Sequence, residues 1–178
     1  MRRLYLLIIF LSVSSVVLPA RSDSAQFENR EWGQSKQEVI SLLEASGKPY
    51  KLTPFNEIKY KDTMFGYPCE AMLVFSEEYG LYDLWLAMTG NTKEVSDAES
   101  RAVSMLTARH GPPPARKEKE GRGFITVTYR WYDSEEPSEY PDIELHVTKR
   151  HDGTGAVFLR YREPEVASRI DREKAGLS

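Results

Sequence analysis

The sole cysteine, Cys69, is the first candidate for covalent chemistry, as a nucleophile or as one half of a bridge to another chain. It opens the segment CEAMLVF, where Cys69, Ala71, Leu73 and Phe75 occupy alternate positions. In a strand, these four side chains would share one apolar face. We therefore expect Cys69 to be a buried, unreactive core residue.

Metal coordination would need several histidine, cysteine or carboxylate ligands at fixed spacing. The histidines His110, His146 and His151 form neither H-x-x-x-H nor H-x-H, and the acidic segment 133–142 lacks the D-x-D-x-D-G spacing of a calcium loop. The sequence has no G-x-S-x-G, P-loop or G-x-G-x-x-G motif. We expect no metal, no cofactor and no catalytic residue, and we interpret the protein as a non-enzyme.

Composition and charge limit the classes of partner. The 178 residues are 40% hydrophobic and 29% charged, which is typical of one globular domain, and the net charge is −3. Nucleic-acid binding needs clustered Lys and Arg, whereas the basic residues of segment 116–122 alternate with Glu118 and Glu120. We predict a solvated loop for this segment and no nucleic-acid partner.

Residues 1–20 have the order of a secretory signal peptide. Arg2 and Arg3 precede an apolar run at 4–18, which is shorter than the ~20 residues of a spanning helix. An uncleaved N-terminal anchor is the alternative. We favour cleavage after Ala20, which predicts a periplasmic or secreted protein with no membrane span after cleavage.

Two helices are predicted from S-x-x-E capping boxes that precede apolar residues at helical spacing. One begins at Ser35, near 35–46, and the other at Ser96, near 96–110; each ends at a glycine with proline beyond it. Three segments with strand character follow each helix, at 57–63, 69–76, 81–88, 123–132, 143–149 and 156–162.

The order α-β-β-β-α-β-β-β predicts a single α+β domain over residues 21–163. Short turns between the strands require antiparallel meanders, and two helices on one face of a six-stranded sheet would bury its apolar side. The repeated order is consistent with internal duplication. Residues 164–178 are expected to be a C-terminal tail, either a short helix or disordered.

Turn chemistry predicts the register of the first complete hairpin. A four-residue loop ending at Gly80 pairs Leu73 with Leu84 and Phe75 with Tyr82, so that every partner on this face is apolar.

The turn of the last hairpin also predicts its register. A three-residue loop ending at Gly153 pairs Leu145 with Leu159 and sets Glu144 opposite Arg160.

Several motifs carry a resemblance to a known class. The chain has W-G-x-S-x-x-E-V at 32–39, Gly-Tyr-Pro at 66–68, Gly-Leu at 80–81 and a helix end His-Gly-Pro at 110–112. It resembles small exported bacterial proteins with this start, which are similar to the BamE/SmpA-like class of periplasmic helix-plus-meander domains. The resemblance spans roughly residues 30–162 and implies a fold. That class acts as a scaffold in outer-membrane protein assembly, and no functional residue is carried over.

The sheet face that the helices leave uncovered is the candidate interaction surface. Large apolar side chains next to Arg and Glu are typical of protein interfaces. The residues are Met72, Trp85, Arg130, Glu144, His146 and Arg160. The alternative is that segment 48–56 or the C-terminal tail covers Trp85 and that the charges are ordinary cross-strand pairs.

We expect an extracytoplasmic, non-enzymatic binding or scaffold domain whose open sheet face contacts an unknown protein partner in the cell envelope. The alternative is a small-ligand-binding or inhibitor module with a pocket between helices and sheet. If they are exposed, the ion pairs of Glu144 with Arg130 and Arg160 contribute only about 0.2–1 kcal/mol each. Charge reversal at Glu144 is therefore expected to weaken binding while stability hardly changes.

Overall fold

The computed structural model describes residues 31–113, 115–132 and 142–176. The signal-like segment 1–20 and nearly all of the acidic segment 133–142 lie outside these ranges. The helices are α1 (Lys36–Ala45), α2 (Thr92–His110) and α3 (Pro164–Lys174). The strands are β1 (Tyr50–Leu52), β2 (Glu57–Met64), β3 (Tyr67–Ser76), β4 (Gly80–Asn91), β5 (Ala115–Gly121), β6 (Phe124–Trp131), β7 (Ile143–Arg150) and β8 (Thr154–Arg162).

The eight strands form one antiparallel sheet in the order β1-β2-β3-β4-β8-β7-β6-β5. Each half of the sheet is a four-stranded meander, and the halves meet where β4 pairs with β8. The predicted α+β class is confirmed. The sheet has eight strands where six were predicted, and a third helix follows the last strand.

The two additional strands lie at the edges of the sheet. β1 has only three residues, and β5 pairs with β6 along its whole length. The prediction of a solvated loop for the charged segment is therefore wrong over β5. An edge strand leaves one side of its backbone unpaired, and alternating charged side chains there discourage pairing with another chain.

Helices α1 and α2 bury one face of the sheet. Alternate residues of the inner strands form the core with Val39 and Leu43 of α1 and Val95 and Leu106 of α2. Close packing of α2 on β8 favours Gly155, where an added Cβ would lie 3.1 Å from a side-chain methyl of Val95 on α2 and would also clash with the carbonyl oxygen of Thr148 on β7. Among the described residues, none of the helices has the length and apolar character needed to cross a bilayer.

Helix α2 begins one turn before the predicted start at Ser96. The side chain of Asn91 accepts a hydrogen bond from the Glu94 amide (3.0 Å), and the Glu94 carboxylate accepts one from the Asn91 amide (2.9 Å). This N-x-x-E capping box was missed because Ser96 offers the same pattern one turn later. The predicted capping box at Ser35 is confirmed.

Loss of either true cap should cost about 1 kcal/mol of unfolding free energy. We expect Ser35→Ala and Asn91→Ala each to lower the urea midpoint. Ser96→Ala is the control, because Ser96 lies within α2 and caps nothing. An equal loss in Ser96→Ala would contradict a helix start at Asn91.

The predicted registers of the β3–β4 and β7–β8 hairpins are confirmed except at one position. Leu145 lies opposite Leu159, and Glu144 opposite Arg160, as expected. Leu73 also lies opposite Leu84.

The exception is a bulge in the β3–β4 ladder. It pairs Phe75 with Leu81 and leaves Tyr82 as the extra residue, so the predicted Phe75–Tyr82 pair is wrong.

The W-G start motif has a structural role at the first residues of β4. The Gly33 amide donates to the Leu81 carbonyl (3.0 Å), and the Leu81 amide donates to the Gln34 carbonyl (2.9 Å). Gly80 has a φ of 67° and lies directly against Gly33. The start motif therefore anchors the segment before α1 to the sheet.

Candidate functional site

The open face is the side of the sheet away from α1 and α2, and the residues predicted for it share this side. Five of them form one row across adjacent strands, each opposite the next: Met72, Trp85, Arg160, Glu144 and Arg130. His146 lies in the neighbouring row, with Thr128 on one side and Phe158 on the other.

Arg160 is held in the middle of this row by two neighbours. Its guanidinium carbon lies 4.0 Å from the centre of the Trp85 ring, a cation–π contact. Its Nε donates to Asp83 at 2.9 Å, and a terminal NH2 of the same guanidinium also donates to this carboxylate. Arg160 thus lies opposite Glu144 but forms its ion pair with Asp83, its diagonal neighbour on β4.

Asp83 was missing from the predicted site, and it is the most deeply buried charged residue of the face. Only 3% of Asp83 is exposed. Burial raises the pKa of its carboxyl group, and the hydrogen bonds and charge of Arg160 oppose that rise. The sequence contained a signal, because Asp83 alternates with Trp85 along the same strand.

Glu144 organises the other half of the row. Its carboxylate accepts a hydrogen bond from Arg130 Nε (2.8 Å) and lies 3.3 Å from His146 Nε2. Burial alone would raise the pKa of Glu144, but hydrogen bonds and charges from His146 and Arg130 outweigh it and lower the pKa to about 2. Glu144 is 8% exposed, so the small contribution expected of an exposed pair does not apply to it, and charge reversal at Glu144 is expected to lower stability as well.

The lowered pKa of Glu144 predicts acid sensitivity. A carboxyl group with a depressed folded-state pKa contributes stability above its unfolded pKa, and this is lost as the pH falls through the folded value. We expect wild type to lose about 2–3 kcal/mol more than Glu144→Gln between about pH 5 and about pH 2. Urea unfolding across this range measures the difference, and parallel profiles would contradict the assignment.

Helix α3 packs beside the start of β4. The Glu163 amide donates to the Tyr82 carbonyl (2.9 Å), and the Arg169 guanidinium lies 5.3 Å from the centre of the Tyr79 ring. These contacts place α3 near the end of β4 that carries Asp83, while Phe158 remains 36% exposed.

The cysteine and the other two histidines lie apart from the open face. Cys69 is buried, as predicted, and burial raises the pKa of its thiol to about 12, so it is protonated at neutral pH. His110 lies in the last turn of α2, and His151 lies in the β7–β8 turn.

A groove of about 670 Å³ lies between α2 and β6, on the helix-covered side of the sheet. Small and polar side chains of α2 form one wall, and Tyr129 forms the other. The Tyr129 hydroxyl donates to Glu99 (2.9 Å), which also accepts from Lys149 (2.7 Å). This open groove is the place where the small-ligand alternative would have to be tested.

Comparison of the chain with models of protein families, with curated proteins and with solved structures found no match.

Proposed function

We propose that the protein is an extracytoplasmic, non-enzymatic binding or scaffold domain that contacts a protein partner of the cell envelope through the open face of its sheet. The signal-like segment at 1–20 supports this location. The W-G-x-S-x-x-E-V resemblance is consistent with the same compartment.

The observation that carries the proposal is the fixed Arg160–Trp85 pair beside an exposed aromatic residue. Arginine and tryptophan are enriched among the residues that dominate binding energy in protein interfaces. Here buried Asp83 holds the guanidinium carbon 4.0 Å from the centre of the indole ring, so little side-chain freedom remains to be lost on binding. Phe158 lies in the neighbouring row, on the same side.

Affinity capture from an envelope extract of the source cell tests this proposal. The bait is the chain without residues 1–20, and the variant is Phe158→Ser, which removes an exposed ring from the open face. The matched control is Leu42→Ser, because Leu42 is also exposed and apolar but lies on α1, on the opposite side of the sheet.

We expect wild type and Leu42→Ser to retain the same proteins and Phe158→Ser to lose them. Identical retention by all three baits, each folded by circular dichroism, would contradict the use of this face.

A further inference from the structure

Strand β5 separates its charges between the two sides of the sheet. Lys117 lies opposite Thr128 and Lys119 opposite Thr126, and directly paired residues of an antiparallel ladder point to the same side. Both lysines therefore belong to the open face. Glu118 lies between the two lysines, and it points to the other side of the sheet together with the residues two positions before and after it.

The exposed charges on the open face of β5–β8 are all positive among the residues that the structure describes. They are Lys117, Lys119, Arg130 and Arg150. Glu144, the one acidic residue of these strands on this side, is buried and already paired with Arg130. Glu144 offsets the charge of Arg130, so Lys117, Lys119 and Arg150 supply the excess positive charge that makes this face basic in a chain of net charge −3.

Uncharged polar groups lie among these cations, and the Phe158 ring lies on the next strand, β8. Thr128 Oγ1 lies 3.0 Å from His146 Nδ1, and Thr126 Oγ1 lies 3.2 Å from Thr148 Oγ1. Phe158 is the cross-strand neighbour of His146. The surface therefore offers cations on β5 and an aromatic contact on β8, with hydrogen-bonding groups between them.

We propose that this basic face, defined by Lys117, Lys119, Arg130, Arg150, His146 and Phe158, binds an acidic segment of the partner protein. The inference rests on the proposed function and specifies its partner's chemistry. Opposite charges across an interface set specificity and speed association.

The strand geometry fits an extended acidic peptide. Lys117 and Lys119 are two residues apart on one strand, a separation of about 6.6 Å. Carboxylates at alternate positions of an extended peptide have the same spacing, so two of them can pair with both lysines at once. An aromatic or aliphatic side chain elsewhere in the segment can contact Phe158.

The rings of the open face favour a protein segment over single-stranded nucleic acid. Binding of unpaired bases depends on aromatic rings with a free face. The Trp85 ring is stacked against Arg160. Phe124 lies over Gly121, where an added Cβ would be 2.3 Å from the ring. Both rings therefore already have a packing partner. Phe158 remains as one further exposed ring, and a single ring does not make the series of rings on which successive bases stack.

A fluorescent decapeptide of five Glu-Tyr repeats is the probe, and a Gln-Tyr decapeptide is its uncharged counterpart. Fluorescence anisotropy measures binding to the chain without residues 1–20. The variant is Lys117→Gln with Lys119→Gln. The matched control is Lys93→Gln with Arg116→Gln, which changes the net charge equally but lies off the basic face.

We expect the Glu-Tyr peptide to bind and the Gln-Tyr peptide to bind at least about fivefold more weakly. The Lys117/Lys119 variant should lose about fivefold in affinity for the acidic peptide, the Lys93/Arg116 control less than about twofold, and added salt should weaken binding.

Three results would overturn the inference: no binding of the acidic peptide, equal binding of both peptides, or an equal loss in the control. Binding of oligo(dT) or of phosphatidylglycerol vesicles in place of the acidic peptide would assign the face to another class of ligand. If the peptide fails but envelope capture still depends on Phe158, the proposed function stands and only the acidic chemistry is wrong.

Discussion

Gly80→Ala is expected to destabilise the protein by about 4 kcal/mol or to prevent folding. A Cβ at this position would lie 2.3 Å from the Gly33 carbonyl oxygen and 2.7 Å from that of Gln34. Both are backbone atoms, and the adjacent Gly33 amide and Gln34 carbonyl hydrogen-bond to Leu81. The clash can therefore be relieved only by separating the W-G segment from β4.

Gly47→Ala is the matched control for this substitution. Gly47 has a φ of 66° and Gly80 one of 67°, but nothing lies within 4 Å of a Cβ at Gly47. The control should therefore cost only the left-handed strain, about 1–2 kcal/mol. Urea unfolding followed by circular dichroism measures both variants, and equal losses would show that the contact with Gly33 is not rigid.

Asp83→Asn is expected to cost about 2–3 kcal/mol, because it removes the counter-charge of the part-buried Arg160 guanidinium, while the burial that raises the pKa of Asp83 no longer opposes a charged group there. The asparagine side chain has nearly the same shape, so the loss is electrostatic. Glu118→Gln is the control: it neutralises a carboxylate in the exposed Arg116–Glu118 pair and should cost less than about 1 kcal/mol.

A double variant distinguishes the charge effect from a packing effect. Asp83→Asn combined with Arg160→Met removes both charges and should recover much of the stability lost in Asp83→Asn, because buried pairs can often be replaced by apolar groups. Additive losses would indicate that the two residues act independently, contrary to their direct contact.

The parts of the fold that sequence predicts are those in which apolar alternation and turn chemistry agree. The β7–β8 register followed from Gly153 and from the match of Leu145 with Leu159, because a slip by one residue would expose the apolar side chains. The position of Trp85 beside Arg160 depends on the β4–β8 pairing, which was not predicted, whereas the row of Arg130, Glu144 and Arg160 followed from the registers of β6, β7 and β8. The open face could therefore be located without any structural information.

The parts that sequence missed lack an apolar signal. β5 is held by its backbone pairing with β6, and its ARKEKEG sequence has no apolar alternation to indicate a strand. The bulge at Tyr82 and the choice of Asp83 as partner for Arg160 depend on local geometry that residue types do not specify. The pairing of β4 with β8 joins strands that are distant in sequence, and local sequence patterns do not specify which strand edges pair at long range.

The β4–β8 pairing also determines the order in which the chain can fold. Arg160 and Asp83, which join these strands, are 77 residues apart in sequence, whereas the other pairings of the sheet are between consecutive strands. Local hairpins close quickly and distant pairings slowly. During synthesis, the inner edge of β4, with Leu84, Leu86 and Met88, stays unpaired until β8 is available. A chain truncated before residue 154 would lack β8, so this edge of β4 would stay unpaired. We expect such a chain to aggregate.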